Sequence, residues 1–124
     1  MIPTLQSLIG GRWIGHEAAT PLRNALNGGL IYHTHAEQID FGEAVHYARK
    51  TGVPGLMKLD FQQRAARLKA LALYLVERKE ELYAISHLTG ATRADSWVDI
   101  EGGTGTLFAY ASMGGRELLN SSLS

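Results

Sequence analysis

Hydrophobic residues recur at helical spacing through the longest patterned stretch of this chain, residues 60–90. Apolar positions three and four apart lie on one face of an α-helix. Asp60 stands where an N-cap acceptor belongs, and Gln63 can reach back to complete a capping box. The pattern therefore predicts a helix that begins directly after Asp60. Its apolar stripe consists of Phe61, Ala65, Leu68, Leu71, Ala72, Leu75 and Val76.

A charged run at residues 77–81 interrupts this stripe, because Lys79 falls where an apolar residue is due. A second, shorter stripe follows, formed by Leu82, Ile85 and Leu88. Gly90 then offers a residue that can adopt a positive φ after a helix end. The pattern predicts two consecutive helices with a bend in the charged run.

Residues 1–35 have the character of short strands. Extended runs flank Gly10-Gly11, and a glycine pair is a typical two-residue hairpin turn. Asn27–Gly29 indicates a second turn, followed by an extended run over Leu30–His35. Such ribbons are too few and too short to build a core alone, so we expect them to lie against a larger body.

A further helix is predicted to begin at Asp40, with Glu43 placed for a capping box. Gly52 and Pro54 are expected to end it. The chain as a whole is therefore predicted to be α+β, with β-ribbons in residues 1–35 and mainly helices in residues 36–124.

The last predicted helix begins near Ser96. Its apolar stripe consists of Trp97, Ile100, Thr104, Leu107, Phe108 and Ala111. Gly102, Gly103 and Gly105 lie inside it, and three interior glycines cost about 3 kcal/mol relative to alanine. We therefore expect something to approach this helix closely enough to need the missing side chains.

The composition excludes several classes of function. Twelve basic and twelve acidic residues cancel, so no charge excess indicates nucleic acid or a membrane surface. The 124 residues include no cysteine, which excludes thiolate nucleophiles and zinc-thiolate sites from them. Because neither a secretory signal nor a membrane span is visible, a cytoplasmic protein is expected.

No catalytic, cofactor-binding or metal-binding residue is predicted from the pattern alone. His33 and His35 share one strand face, but a metal site needs further ligands, so exposed strand histidines are the favoured interpretation. The glycines of residues 102–105 lack both a dinucleotide fingerprint and a Walker lysine. Ser86 and His87 are adjacent on a helix and point about 100° apart, which prevents a hydrogen bond between them.

Residues 89–108, which contain the run GATRADSWVDIEGG, resemble the bifunctional ring-opening enzymes of aerobic phenylacetate degradation. In that family an NADP-dependent aldehyde dehydrogenase domain is fused to an enoyl-CoA hydratase-like domain. Three further motifs of the wider aldehyde dehydrogenase family are matched along the chain. They are Ile9 to Trp13 for I-x-G-x-W; Asp40, Ala44, Val45, Ala48 and Arg49 for D-x-x-x-A-V-x-x-A-R; and Arg64-Ala65, Leu68, Leu75, Leu82 and Thr89-Gly90 for the R-A-x-x-L…L…L…T-G run.

This resemblance implies an N-terminal fragment of the α/β aldehyde dehydrogenase fold, with residues 36–124 in the cofactor-binding domain. The full-length parent would oxidise a CoA-linked semialdehyde to the acid with NADP or NAD. The nucleophilic cysteine, the general base and the cofactor-binding glycine helix would lie beyond residue 124. The chain alone would therefore be inactive, with the rest of the polypeptide and further copies of itself as partners.

The resemblance also implies that the last helix borders the tunnel through which the aldehyde enters. Asp99, Gly102, Gly103 and Thr106 are the candidate lining residues, and the glycines would leave room for a bulky acyl-CoA substrate. Close helix packing without substrate contact is the favoured alternative for the glycines. For the whole chain, the alternative is a non-catalytic helical interaction module, which a stop codon directly after Ser124 would favour over an enzyme.

Overall fold

A computed structural model describes residues 1–17, 20–35 and 39–118. The chain divides into two compact units, Met1–Gly55 and Leu56–Ser124. Strands precede helices, which confirms the predicted α+β class. The predicted boundary after residue 35 follows the change from strands to helices, and as a domain assignment it stays a prediction. Within the described ranges, no helix is both long enough and apolar enough to cross a membrane.

The strands of the first unit form two small sheets. They are β1 (Thr4–Leu5), β2 (Ser7–Ile9), β3 (Arg12–Ile14), β4 (Thr20–Arg23) and β5 (Leu30–Thr34). In one sheet β5 lies between β1, to which it is parallel, and β4, to which it is antiparallel. In the other, β2 and β3 pair antiparallel. Gly15 is the one buried residue among those that the structure describes in this unit.

The β2–β3 hairpin confirms the predicted glycine turn. Ile9 pairs with Arg12, which leaves Gly10 and Gly11 as the two loop residues. Their φ angles are +59° and +76°, a left-handed conformation that this turn requires and that glycine adopts without steric cost. The second predicted turn is also present, since the Gly28 N–H donates to the Asn24 carbonyl oxygen at 2.8 Å.

Helix α1 (Phe41–Tyr47) begins after Asp40, whose Oδ1 accepts from the Glu43 N–H at 2.9 Å. The prediction that Gly52 and Pro54 end this helix is wrong. The chain continues through a π-helical turn (Ala48–Gly52) into α2 (Val53–Met57). Pro54, which has no N–H to donate, closely follows this π-helical turn, and such turns are where a helix accommodates an irregular residue.

The central helix pair confirms the predicted bend. Helix α3 (Phe61–Glu77) has a complete capping box, with the Gln63 N–H 2.7 Å from Asp60 Oδ1 and the Asp60 N–H 3.0 Å from Gln63 Oε1. Arg78 separates α3 from α4 (Lys79–His87). Gly90 has a φ of +87°, as expected after the helix end.

The apolar stripes of both helices are narrower than predicted. Ala65 and Ala72 are buried, but Leu71 and Val76 of the same predicted stripe are exposed. In α4, Ile85 is likewise exposed. The physical reason is that α3 packs mainly against one helix, α5 (Arg93–Arg116), and one neighbour covers only part of a wide apolar face.

Helix α5 begins three residues before the predicted start. Thr92 caps it, because Thr92 Oγ1 accepts from the Asp95 N–H at 3.2 Å while Asp95 Oδ2 accepts from the Thr92 N–H at 3.1 Å. The side-chain and backbone hydrogen bonds from Thr92 hold the pKa of Asp95 below its ordinary value. Trp97, a member of the predicted apolar stripe, is 57% exposed. The buried residues of α5 are Ser96, Thr104, Ala111 and Gly114.

Among the glycines of α5, Gly114 is the one that α3 approaches most closely. A Cβ atom added there would lie 3.2 Å from the Ala65 Cβ, whereas one at Gly115 would lie 3.8 Å from the end of the flexible Gln62 side chain.

We expect Gly114→Leu to lower the free energy of unfolding by about 1–3 kcal/mol through overpacking. The matched variant Gly115→Leu should not lower it, since leucine favours a helix more than glycine does. Urea unfolding followed by circular dichroism measures both, and equal effects would contradict the packing assignment.

Candidate functional site

The four predicted lining residues lie together on one exposed side of α5. Asp99, Gly102, Gly103 and Thr106 are spaced by three, four and seven positions, which places them on one helix face. All four are exposed, and the face lies to one side of the buried face of α5. The Thr106 hydroxyl donates to the Gly102 carbonyl oxygen at 2.9 Å. Because the other two residues are glycines, Asp99 and Thr106 supply the polar side chains of this face.

The interior glycines of α5, here called the glycine segment (Gly102–Gly105), face open space. A Cβ atom added at Gly102, Gly103 or Gly105 would have no neighbouring heavy atom within 4 Å among the described residues. None of the described residues makes the expected close approach to these glycines, and what approaches them stays a prediction. The closely packed glycine of α5 is Gly114, which the sequence pattern did not distinguish.

The glycine segment also does not fit a nucleotide phosphate. It lies in the middle of a 24-residue helix. A phosphate-binding loop instead places its glycines between a strand and the first turn of a helix, where N–H groups are free. The glycine segment thus offers no cradle for the cofactor that the resemblance implies.

The exposed face of α5 that carries Asp99, Gly102, Gly103 and Thr106 is here called the glycine face. A polar cluster joins α4 to α5 on the side of α5 away from it. Glu101 Oε1 accepts from the Tyr83 hydroxyl at 3.1 Å and lies 3.5 Å from Lys79 Nζ. Further along α4, the hydroxyl oxygens of Ser86 and Ser96 are 2.8 Å apart. These contacts make the α4–α5 packing polar as well as apolar.

Tyr83 is the centre of this cluster. Its side chain is buried, and the Arg93 guanidinium lies 4.6 Å from the centre of its ring. Burial, with the hydrogen bond to Glu101, raises the pKa of the Tyr83 phenol. Tyr83 was not predicted from the sequence, although Lys79, Tyr83 and Ser86 are spaced by four and seven positions. That stripe on the helix was the signal that could have found it.

The other candidate residues do not assemble into a catalytic or metal site. Ser86 contacts Ser96 rather than His87, as the helix geometry requires. His35 Nδ1 lies 2.6 Å from the Glu17 carbonyl oxygen, and His33 Nδ1 is buried. No group of three or more potential ligands occurs in the described ranges, so the histidine pair has no third ligand there.

Comparison with known proteins identifies the family of this chain. The sequence profile of the aldehyde dehydrogenase family matches residues 13–123. A 3,4-dehydroadipyl-CoA semialdehyde dehydrogenase from Aromatoleum evansii is 31% identical over 112 residues, covering 89% of this chain. The chain spans 22% of the length of that relative. Both matches agree with the resemblance to the wider aldehyde dehydrogenase family, and the chain belongs to that family.

Proposed function

We propose that this chain is the N-terminal part of an enzyme, here called the full-length enzyme, that oxidises a CoA-linked semialdehyde to the acid. The proposal includes NADP as cofactor, a role in aerobic phenylacetate catabolism, and a cytoplasmic location. The similarity to a CoA-semialdehyde dehydrogenase supports the substrate class. The NADP and pathway assignments depend on the resemblance of residues 89–108 to the ring-opening enzymes.

The observation that carries this proposal within the chain is the open glycine face of α5. At Gly102 and Gly103 no described atom lies within 4 Å of the position that a Cβ atom would take, so a bulky group can pass close to the backbone. Asp99 and Thr106 supply the polar atoms along the same face. This chain would thus contribute one wall of the substrate tunnel and none of the reacting groups.

The direct test is a substrate comparison with the full-length enzyme. We expect a higher kcat/KM for a CoA-linked semialdehyde than for an aldehyde of the same chain length without CoA, and faster turnover with NADP than with NAD. Formation of NADPH or NADH at 340 nm would be followed for each pair. Equal kcat/KM values for the two aldehydes would contradict the proposed substrate class. A preference for NAD would contradict only the cofactor assignment.

We also propose that the chain is covered by further protein, either the rest of the enzyme or a second copy. Tyr110 and Met113 are exposed and line an apolar cavity of about 320 Å³ between α3 and α5. Leu71 and Tyr74 are exposed elsewhere on α3. Because exposed apolar surface favours association, we expect the chain alone to be oligomeric by light scattering. A monodisperse monomer would contradict this expectation.

A further inference from the structure

Two residues at the glycine segment of α5 have side chains that are held in place, Glu101 directly before it and Thr104 within it. Glu101, directly before Gly102, accepts hydrogen bonds from the Tyr83 hydroxyl at 3.1 Å and from Lys79 Nζ at 3.5 Å, both on α4. Thr104, within the segment, is buried, and its hydroxyl donates to the Ile100 carbonyl oxygen at 3.0 Å. The exposed side of the segment has no comparable contact among the described residues.

The backbone of the glycine segment depends on contacts with other residues to keep its helical conformation. Glycine disfavours the helical state more than any residue except proline, because its backbone has more conformations to lose. Three glycines within four residues therefore lower the intrinsic helix stability of this part of α5. Side chains that link the segment to other elements add restraint, and Glu101, directly before it, accepts hydrogen bonds from Tyr83 and Lys79 of α4.

We propose that Glu101, held by Tyr83, is a positioning residue that fixes the backbone of Gly102–Gly105 and thereby the shape of the glycine face. The effect on substrate follows only if the proposed function is right, whereas the restraint on the backbone does not depend on it. Glu101 touches no reacting group; it acts through the conformation of the residues that follow it.

The restraint is tested by hydrogen exchange mass spectrometry on the full-length enzyme. In Tyr83→Phe, which removes the hydroxyl and keeps the ring, we expect the peptide that contains Gly102–Gly105 to exchange about five-fold faster, the loss of one net hydrogen bond. Glu101→Gln keeps an acceptor oxygen for Tyr83 and should exchange like the unaltered enzyme. Glu81→Ala is the matched control on α4, because the Glu81 side chain is exposed and is not a hydrogen-bond or ion-pair partner of Tyr83, Arg93 or Glu101 among the described residues.

Two results of the exchange experiment would overturn the proposal. One is an unchanged exchange rate of the glycine segment in Tyr83→Phe. The other is an equal increase in every peptide of α3, α4 and α5, which would show a general loss of stability rather than a local restraint. An increase confined to the glycine segment, absent in Glu81→Ala, supports the proposal.

Steady-state kinetics test the consequence for substrate. We expect Tyr83→Phe to raise KM for the CoA-linked semialdehyde about five-fold with kcat unchanged, and to leave both constants unchanged for a small aldehyde. An unchanged KM together with faster exchange would overturn the role of Tyr83 and Glu101 in shaping the tunnel. If the unaltered enzyme oxidised no CoA-linked semialdehyde, the proposed function would fail, and the exchange result alone would decide whether Glu101 restrains the glycine segment.

Discussion

The purified 124-residue chain, assayed with NADP and an aldehyde, is expected to form NADPH no faster than a buffer control. The chain has no cysteine, and the aldehyde dehydrogenase family attacks its substrate with a thiolate. Since enzymes accelerate their reactions at least about 10⁶-fold, the difference from the full-length enzyme should be at least that large. The assay needs preparations free of host dehydrogenases, and turnover that copurifies with the chain would contradict the expectation.

Calorimetry on the same preparation tests the cofactor expectation separately. The glycine segment lies inside α5 and does not form a phosphate-binding loop, so we expect no tight binding of NADP to the chain. The full-length enzyme serves as the positive control. A micromolar affinity for the isolated chain would contradict this expectation. It would make the glycine segment a candidate phosphate site again.

The second large effect is expected from Gly103→Leu in the full-length enzyme. A leucine at residue 103 would project from the open face that we propose as a tunnel wall, where no described atom lies within 4 Å. We expect kcat/KM for the CoA-linked semialdehyde to fall about 100-fold, the cost typical of displacing a bound substrate by about 1 Å. Activity on a small aldehyde should be kept, and the melting temperature should not fall, because leucine gains nearly 1 kcal/mol over glycine in a helix.

Gly105→Leu is the matched control for this variant. Gly105 is also open to a side chain, but it lies on a different side of α5 from Asp99, Gly103 and Thr106. We expect it to keep both activities. If Gly103→Leu instead lowered the free energy of unfolding by about 1–3 kcal/mol, overpacking against the rest of the enzyme would explain the glycines and not the tunnel. If Gly103→Leu gained stability and kept both activities, both the tunnel and the overpacking explanation would be contradicted.

Local sequence signals determined most of the secondary structure of this chain. The capping box of Asp60 with Gln63 and the glycine turn at Gly10-Gly11 are confirmed, because each depends on residues within four positions of one another. The predicted start of α5 was wrong, and this error also came from a local capping signal. Thr92 with Asp95 forms the cap, and α5 begins at Arg93, three residues before the predicted start near Ser96. Thr92 and Asp95 have the same spacing as Ser96 and Asp99, so local spacing alone does not distinguish the two starts.

Only the tertiary structure decided which side of each helix is covered. Leu71 and Trp97 have apolar side chains at stripe positions, yet both are exposed, because burial depends on which helix lies opposite. Likewise the sequence predicted a close approach at Gly102, Gly103 and Gly105, but among the described residues Gly114 packs against Ala65 while Gly103 faces open space. Amino-acid type and spacing are properties of one helix, whereas a close approach is a property of two helices, so the second can be known only once both are placed.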